Sequence, residues 1–266
     1  MFYISSEDHT ALKYYLSYRQ KQALFTRGNS KTNMLIPDYS KLDNPVWYSL
    51  NETHKNFSIN YDNLKCYHPD FCPFGGYKNS NDISGEIDKY AKLINNFFIV
   101  GDKPEFSKSL TLKNELVCLQ MVIGHNIDLE IQEDIIKLNR NYEEDLFKLV
   151  NLVQPGYFKN KTIQLGDYYG IFRNGNLVAV TGERMKMNDF VEVSAIVTHP
   201  EHTGKGYAKQ LITYTVNKIL SQNKIPYLHV AETNIGAIKL YEKSGFETRR
   251  KISFWNIITL LPDLRS

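Results

Sequence analysis

The sequence predicts an α+β protein, and three observations carry that expectation. Tyr169-Gly-Ile-Phe172 and Leu177-Val-Ala-Val-Thr181 flank Asn174-Gly175, the strongest short-range signal of a two-residue hairpin because both positions tolerate positive φ. The apolar strand Phe190–Thr198 passes through a proline turn and a glycine loop into a helix whose apolar residues recur at spacings of three and four. Nearer the N-terminus, apolar positions at Ile83, Ile87, Tyr90, Ala91 and Ile94 trace a helix face that feeds a strand at 97–100, and Glu115–Ile123 is a further apolar strand closed by Gly124. A chain of 266 residues could form one large domain or two of ordinary size. Two are expected, 1–124 and 125–266, because Asp128-Leu-Glu-Ile131 starts a fresh alternating strand.

Taken in order, Ser5 and Asp8 form a capping-box pattern for a helix reaching about Leu24. Residues 27–81 are rich in Asn, Gly, Pro and aromatics, with short extended pieces at 44–50 and 66–75; packed turns fit them, since disorder would leave the aromatics exposed. Cys66, His68, Asp70 and Cys72 lie in this region, but thiols six residues apart around two prolines match no usual metal site. A helix is expected near 143–152, and after the hairpin and the Phe190–Thr198 strand comes the long helix with Ala208, Leu211, Ile212, Thr215, Val216, Ile219 and Leu220 on one face. Pro226–Val230 reads as a buried strand. Asn234 is a good N-cap for a helix to Lys243, which Gly245 stops, and strands at 246–255 and 257–261 follow.

Composition narrows the partners. Apolar residues make up 42% and charged ones 23%, with a formal net charge of +3, so no preference for nucleic acid or another polyanion follows. Cys66, Cys72 and Cys118 are odd in number and include no Cys-x-x-Cys pair, which points to no disulfide framework, no metal and a reducing cytoplasm. The first residues have no basic region before an apolar core, and no apolar run reaches the roughly 18 residues of a spanning helix, so no membrane association is expected.

The chemistry concentrates between Glu192 and Ala208. Gly204 and Gly206 sit where the chain must turn into the helix, and without side chains they let a ligand approach its first free amides, the physics of a phosphate cradle. Thr203-Gly-Lys-Gly-Tyr-Ala208 resembles the pyrophosphate loop of the GNAT superfamily of N-acetyltransferases: Gly206 and Ala208 match its pattern, whereas Thr203 stands where Gln or Arg is usual. Asn234-Ile-Gly-Ala-Ile-Lys-Leu-Tyr-Glu-Lys-Ser-Gly-Phe246 is similar to the second signature, and the order of elements from about 125 to 266 is the GNAT order. Asp43-Asn-Pro-Val-Trp47 is similar to a subgroup carrying an additional N-terminal domain. The resemblance implies a mixed, mostly antiparallel sheet in α/β/α layers, with the N-terminal α+β domain read as a degenerate half of the same kind.

It also implies acetyl-CoA as cofactor and direct transfer to a primary amine in a ternary complex. The amide of Ile196 would meet the thioester oxygen, and Ile196, Val197 and Thr198 would hold the pantetheine arm as one strand holds another. Thr203, Gly204, Lys205, Gly206, Tyr207 and Ala208 would form the phosphate loop. Asn234 would contact the pantetheine, or serve only as a cap. Tyr241, seven residues on and on the same helix face, would be the general acid or a core aromatic. An alkyl amine is protonated at neutral pH, so a base or a water chain must take its proton. Glu192 lies eleven residues before Thr203, the offset at which members acetylating lysine carry their base, and alternation puts Glu192, Ser194, Ile196 and Thr198 on one strand face; Glu183 is the rival. His229, inside an apolar strand, fits a satisfied core histidine. The acceptor is a small-molecule or peptide amine that the sequence does not name, and a homodimer stays open. A non-catalytic acyl-CoA-binding or regulatory module is the second reading, whereas a Walker-type nucleotide binder lacks its lysine followed by Ser or Thr.

Overall fold

The computed structural model describes residues 37–78 and 82–260, so the helix expected between Ser5 and Leu24 lies outside the described residues. The elements are α1 (Pro45–Asn51), β1 (Ser58–Asn60), β2 (Leu64–Tyr67), β3 (Phe74–Tyr77), α2 (Ser84–Ala91), β4 (Asn96–Val100) and β5 (Leu110–Val122). They continue with β6 (Ile136–Leu138), α3 (Glu143–Val153), β7 (Tyr168–Arg173), β8 (Asn176–Lys186), β9 (Phe190–Thr198), α4 (Tyr207–Ser221), β10 (Ile225–Ala231), α5 (Ile235–Lys243) and β11 (Glu247–Thr259).

All eleven strands of the described residues join one sheet in the order β1-β2-β3-β4-β11-β5-β10-β9-β8-β7-β6. Only β3–β4 and β9–β10 pair in parallel, each across a helical crossover, α2 and α4 respectively. The order is nearly palindromic, with one exchange at its centre. β5, which follows β4 in the chain, crosses to pair with β10, while β11, which follows β10, crosses back to pair with β4; the two exchanged strands pair with each other from Glu247 to Thr259.

Strand alternation assigns the helices to layers. On β4, Phe97 and Ile99 pack with Ile87 and Tyr90 of α2, whereas Phe98 and Val100 face the opposite side with Val46 and Leu50 of α1. On β7, Tyr168 packs with Leu146 and Val150 of α3, and Tyr169 with Leu211 of α4. The helices therefore sandwich one sheet, and the cluster under α1 continues through Val122, Met185, Phe190 and Tyr227 without a break between the halves.

The hairpin forms as expected, with Asn174 at φ 50° and Gly175 at φ 78°. Three expectations change. Residues 44–50 are not extended: the Asn44 side chain accepts from the Trp47 amide and Pro45 occupies the first helical position, the cap-then-proline pattern of a helix start. No strand forms at 128–131, because that segment is held by side chains of α4: Asn217 bonds both backbone groups of Ile127, and Gln210 accepts from the amides of Gln132 and Glu133. Residues 247–259 form one strand, which a bulge between Asn256 and Ile257 bends without ending.

Candidate functional site

β9 and β10 are in register over only three pairs, ending at Tyr227 and Glu192, and then part. Ala195 marks the divergence. It is a non-glycine residue at φ 50°, and the pairing of β9 with β8 slips there, from Ser194↔Gly182 to Val197↔Val180. This is a β-bulge, a strained conformation that re-aims the strand beyond it. The strict alternation expected from Glu192 to Thr198 is thereby broken.

A cavity of about 290 Å³ occupies the divergence. At one end Ser194, Ala195 and Ile196 face Asn234 and Tyr241. Asn234 caps α5, its Oδ1 accepting from the Ala237 amide, and Tyr241 lies two turns further along the same face. Burial pushes the Tyr241 hydroxyl up to about 12, so it is a protonated donor at neutral pH, and it has no hydrogen-bond partner among the described residues. Beyond this end, Gly204 at φ 75° and Gly206 at φ 79° carry the chain into α4; a Cβ on either would meet nothing within 4 Å, so both face open space. Tyr207 is the first residue of α4, beside Ala208, and exposed Lys205 lies in the turn with its Nζ 3.4 Å from His202 Nδ1.

The other end of the cavity is built by both halves of the chain. Phe74 of β3, Leu116 and Cys118 of β5 and Phe254 of β11 meet Tyr168, Arg184 and His229. Arg184 lies under the wall, forked on Glu192 at 2.7 and 2.8 Å with its guanidinium 4.7 Å from the Phe74 ring centroid. Glu192 also accepts from His229 Nδ1 at 2.8 Å. The tautomer follows from the next partner. Gln120 Nε2 donates to the Leu42 carbonyl at 2.7 Å, and Gln120 Oε1 accepts from Arg249, which can only donate. The second amide hydrogen of Gln120 therefore points at His229 Nε2, 3.0 Å away, which accepts it and leaves the proton on Nδ1.

Both oxygens of Glu192 are thus engaged. Burial would raise its carboxyl, but the Arg184 guanidinium, aided by His229, more than reverses that and holds it at about 2. Neither Glu192 nor Glu183 is among the residues lining the cavity. Glu183 is buried on the face of β8 opposite Arg184, near Lys186 and the Asp167 amide. The residues that sequence reasoning misses are Arg184, Gln120 and Phe74; Arg184 stands among Glu183 and Lys186 in β8, so its sequence neighbours do not single it out.

Residues 136–246 match the profile of the acetyltransferase (GNAT) family. The chain carries a GNAT-family acetyltransferase domain. A structure from Novosphingobium aromaticivorans assigned to the GNAT family aligns with a TM-score of 0.75 and 27% identity, covering 83% of this chain and 99% of that one. Two more distant GNAT structures share the fold. A GCN5-related N-acetyltransferase-like protein from Streptococcus suis has a TM-score of 0.57 at 15% identity, covering 91% and 99%, and a tandem GNAT protein from the clavulanic acid biosynthesis pathway a TM-score of 0.50 at 12%, covering 75% and 79%. In sequence, a 54-residue stretch is 48% identical to the spermidine N(1)-acetyltransferase of Vibrio cholerae; it makes up 19% of this chain and 31% of that relative's length. The GNAT profile covers the hairpin, β9, the glycine loop, α4, β10 and α5.

Proposed function

We propose that the chain is an acetyl-CoA-dependent N-acetyltransferase that moves an acetyl group to a primary amine by direct transfer in a ternary complex. The observation that carries this reading is the parting of β9 from β10 at the Ala195 bulge, with Asn234 and Tyr241 lining the opening together with Ser194, Ala195 and Ile196. The open, left-handed glycines before α4 fit a pyrophosphate, and the parted edge fits an amide-bearing arm. Acetyl-CoA, when bound, supplies the acetyl group as a thioester.

The chain's own groups take these roles. The amides of the 203–208 loop bind the phosphates, and Ile196, Val197 and Thr198 hold the pantetheine beside Asn234. The Ile196 amide stabilises the charge that develops on the thioester oxygen. The acceptor nitrogen forms the C–N bond with its lone pair as the C–S bond breaks. The electron pair leaves on sulfur, which takes the Tyr241 hydroxyl proton; the surplus proton on nitrogen passes to water, and solvent restores Tyr241. Glu192 does not line the cavity and has both oxygens engaged by Arg184 and His229, so the proton leaves to solvent through water and Glu192 positions Arg184 and His229. The Vibrio relative is named for spermidine, which carries primary amines.

Titration calorimetry with acetyl-CoA, paired with a free-thiol assay over an amine panel, tests the proposal. Binding with amine-dependent thiol release is expected; binding without release would favour a non-catalytic acyl-CoA module, and no binding would refute both. Tyr241→Phe should lower kcat by about 10²-fold with acetyl-CoA affinity nearly unchanged, and an unaltered kcat would remove Tyr241 from the chemistry. Gly206→Val puts a β-branched side chain at φ 79° and should lower stability by about 1–2 kcal/mol. It should also weaken acetyl-CoA binding, read as a smaller rise in melting midpoint on adding the cofactor; an undiminished rise would take the loop out of phosphate binding.

A further inference from the structure

We infer that the acceptor is a compact monoamine on an aromatic or branched apolar body, which enters as the neutral amine, and not a polyamine or a lysine side chain of a peptide. The inference rests on the acetyl-transfer reading and names the substrate class of that site. The acceptor end of the cavity is walled by Phe74, Tyr157, Phe158, Tyr168 and Phe254 together with Leu116. Among the described residues no Asp or Glu lines it, and its one Lys or Arg is Arg184, whose charge is already matched by Glu192. A polyamine would bring two or more ammonium groups into this wall with no carboxylate to meet them, and each desolvated ion is penalised by several kcal/mol.

An aromatic wall can attract cations through its ring faces. Here the face of Phe74 is already taken by the Arg184 guanidinium, 4.7 Å from its centroid, so an ammonium cannot use it. Desolvation favours the neutral amine, the form that attacks. The wall thereby supplies part of what a base would otherwise provide, consistent with both nearby glutamates being turned away from the cavity. Size points the same way. A volume of about 290 Å³ serves both the acetyl end of the cofactor and the acceptor, which leaves room for a small molecule.

The test compares 2-phenylethylamine, spermidine and a lysine-containing peptide as acceptors for the full chain with acetyl-CoA, following thiol release. A kcat/KM for 2-phenylethylamine at least tenfold above the other two is expected; equal rates or a preference for spermidine or the peptide would overturn the inference while leaving acetyl transfer intact. Calorimetry in the presence of coenzyme A separates the two readings. Selective binding of 2-phenylethylamine with no thiol release from any acceptor would sustain the acceptor class and sink catalysis, whereas tighter or equal binding of spermidine would sink the acceptor class. Gln154, an exposed residue at the cavity rim, provides a variant with little risk to folding. Gln154→Glu adds the missing carboxylate and should raise the spermidine kcat/KM relative to 2-phenylethylamine several-fold; an unchanged ratio would show that charge at the cavity does not set the preference, against the inference.

Discussion

Replacing Glu192 by Gln is expected to destabilise the protein by about 3 kcal/mol at neutral pH, because it leaves the largely enclosed Arg184 guanidinium, 15% exposed, without its buried counter-charge. The amide keeps the shape of the carboxylate, so the loss reports charge and hydrogen bonding and not a cavity. The pH dependence identifies the cause. The Glu192 carboxyl is held at about 2 in the folded chain against an ordinary 4.5, so the unfolded state binds the proton more readily. A depressed carboxyl stabilises the fold above its unfolded pKa and loses that contribution as pH falls through its folded one. The wild-type advantage over Glu192→Gln should therefore be full above pH about 4.5 and shrink by about 3 kcal/mol on descending to pH about 2. Urea unfolding of both proteins across that window measures it. Parallel curves at every pH would show that the pair contributes no linked stability.

A chain reduced to residues 125–266 is expected not to fold, although it contains every element matched by the GNAT profile. β5 lies between β10 and β11, and its loss opens both of their edges at the centre of the sheet. It also removes Met121, Val122 and Ile123, each at most 1% exposed, from the clusters that hold α4, α5 and β10. Burial of such side chains is worth about 1.5–3 kcal/mol each, comparable in sum with the whole stability of a domain. Circular dichroism and size exclusion should show aggregated or non-cooperative material, and adding residues 37–124 in trans should restore a cooperative transition. A soluble 125–266 fragment with a sharp unfolding transition would show that β5 is dispensable.

Where a local pattern determines local structure, the sequence was readable. Asn174-Gly175 names its turn, the spacing from Leu211 to Ile219 names the buried face of α4, and Asn234 and Gly245 mark the ends of α5. One misreading comes from partners remote in sequence, the other from a local cap passed over. Residues 128–131 alternate like a strand, but the chain is held on either side of them by Asn217 at Ile127 and Gln210 at Gln132 and Glu133, and residues 44–50 read as extended until Asn44 is seen to cap a helix. In the candidate site, the glycine loop and the pair Asn234 and Tyr241 are local signals. The environment of Glu192 is not: its partners come from Arg184, His229 and, through them, Gln120, so a residue that looks like a free carboxylate in sequence is an ion-paired one in the fold. The exchange of β5 and β11 likewise left no local trace, because each strand pairs with segments more than a hundred residues away.

The polar chain through Arg249, Gln120, His229, Glu192 and Arg184 places one residue on each of five consecutive strands, β11, β5, β10, β9 and β8. A strand that slipped by a single position would turn its member to the opposite face and strand its neighbours' hydrogen bonds inside the protein. The row thus works as a combination lock on assembly: five tumblers drawn from both ends of the chain engage together only in the native alignment. The strand exchange brings distant segments together, and this lock gives the correct partnering an energetic signature that apolar packing alone, tolerant of sliding, would lack.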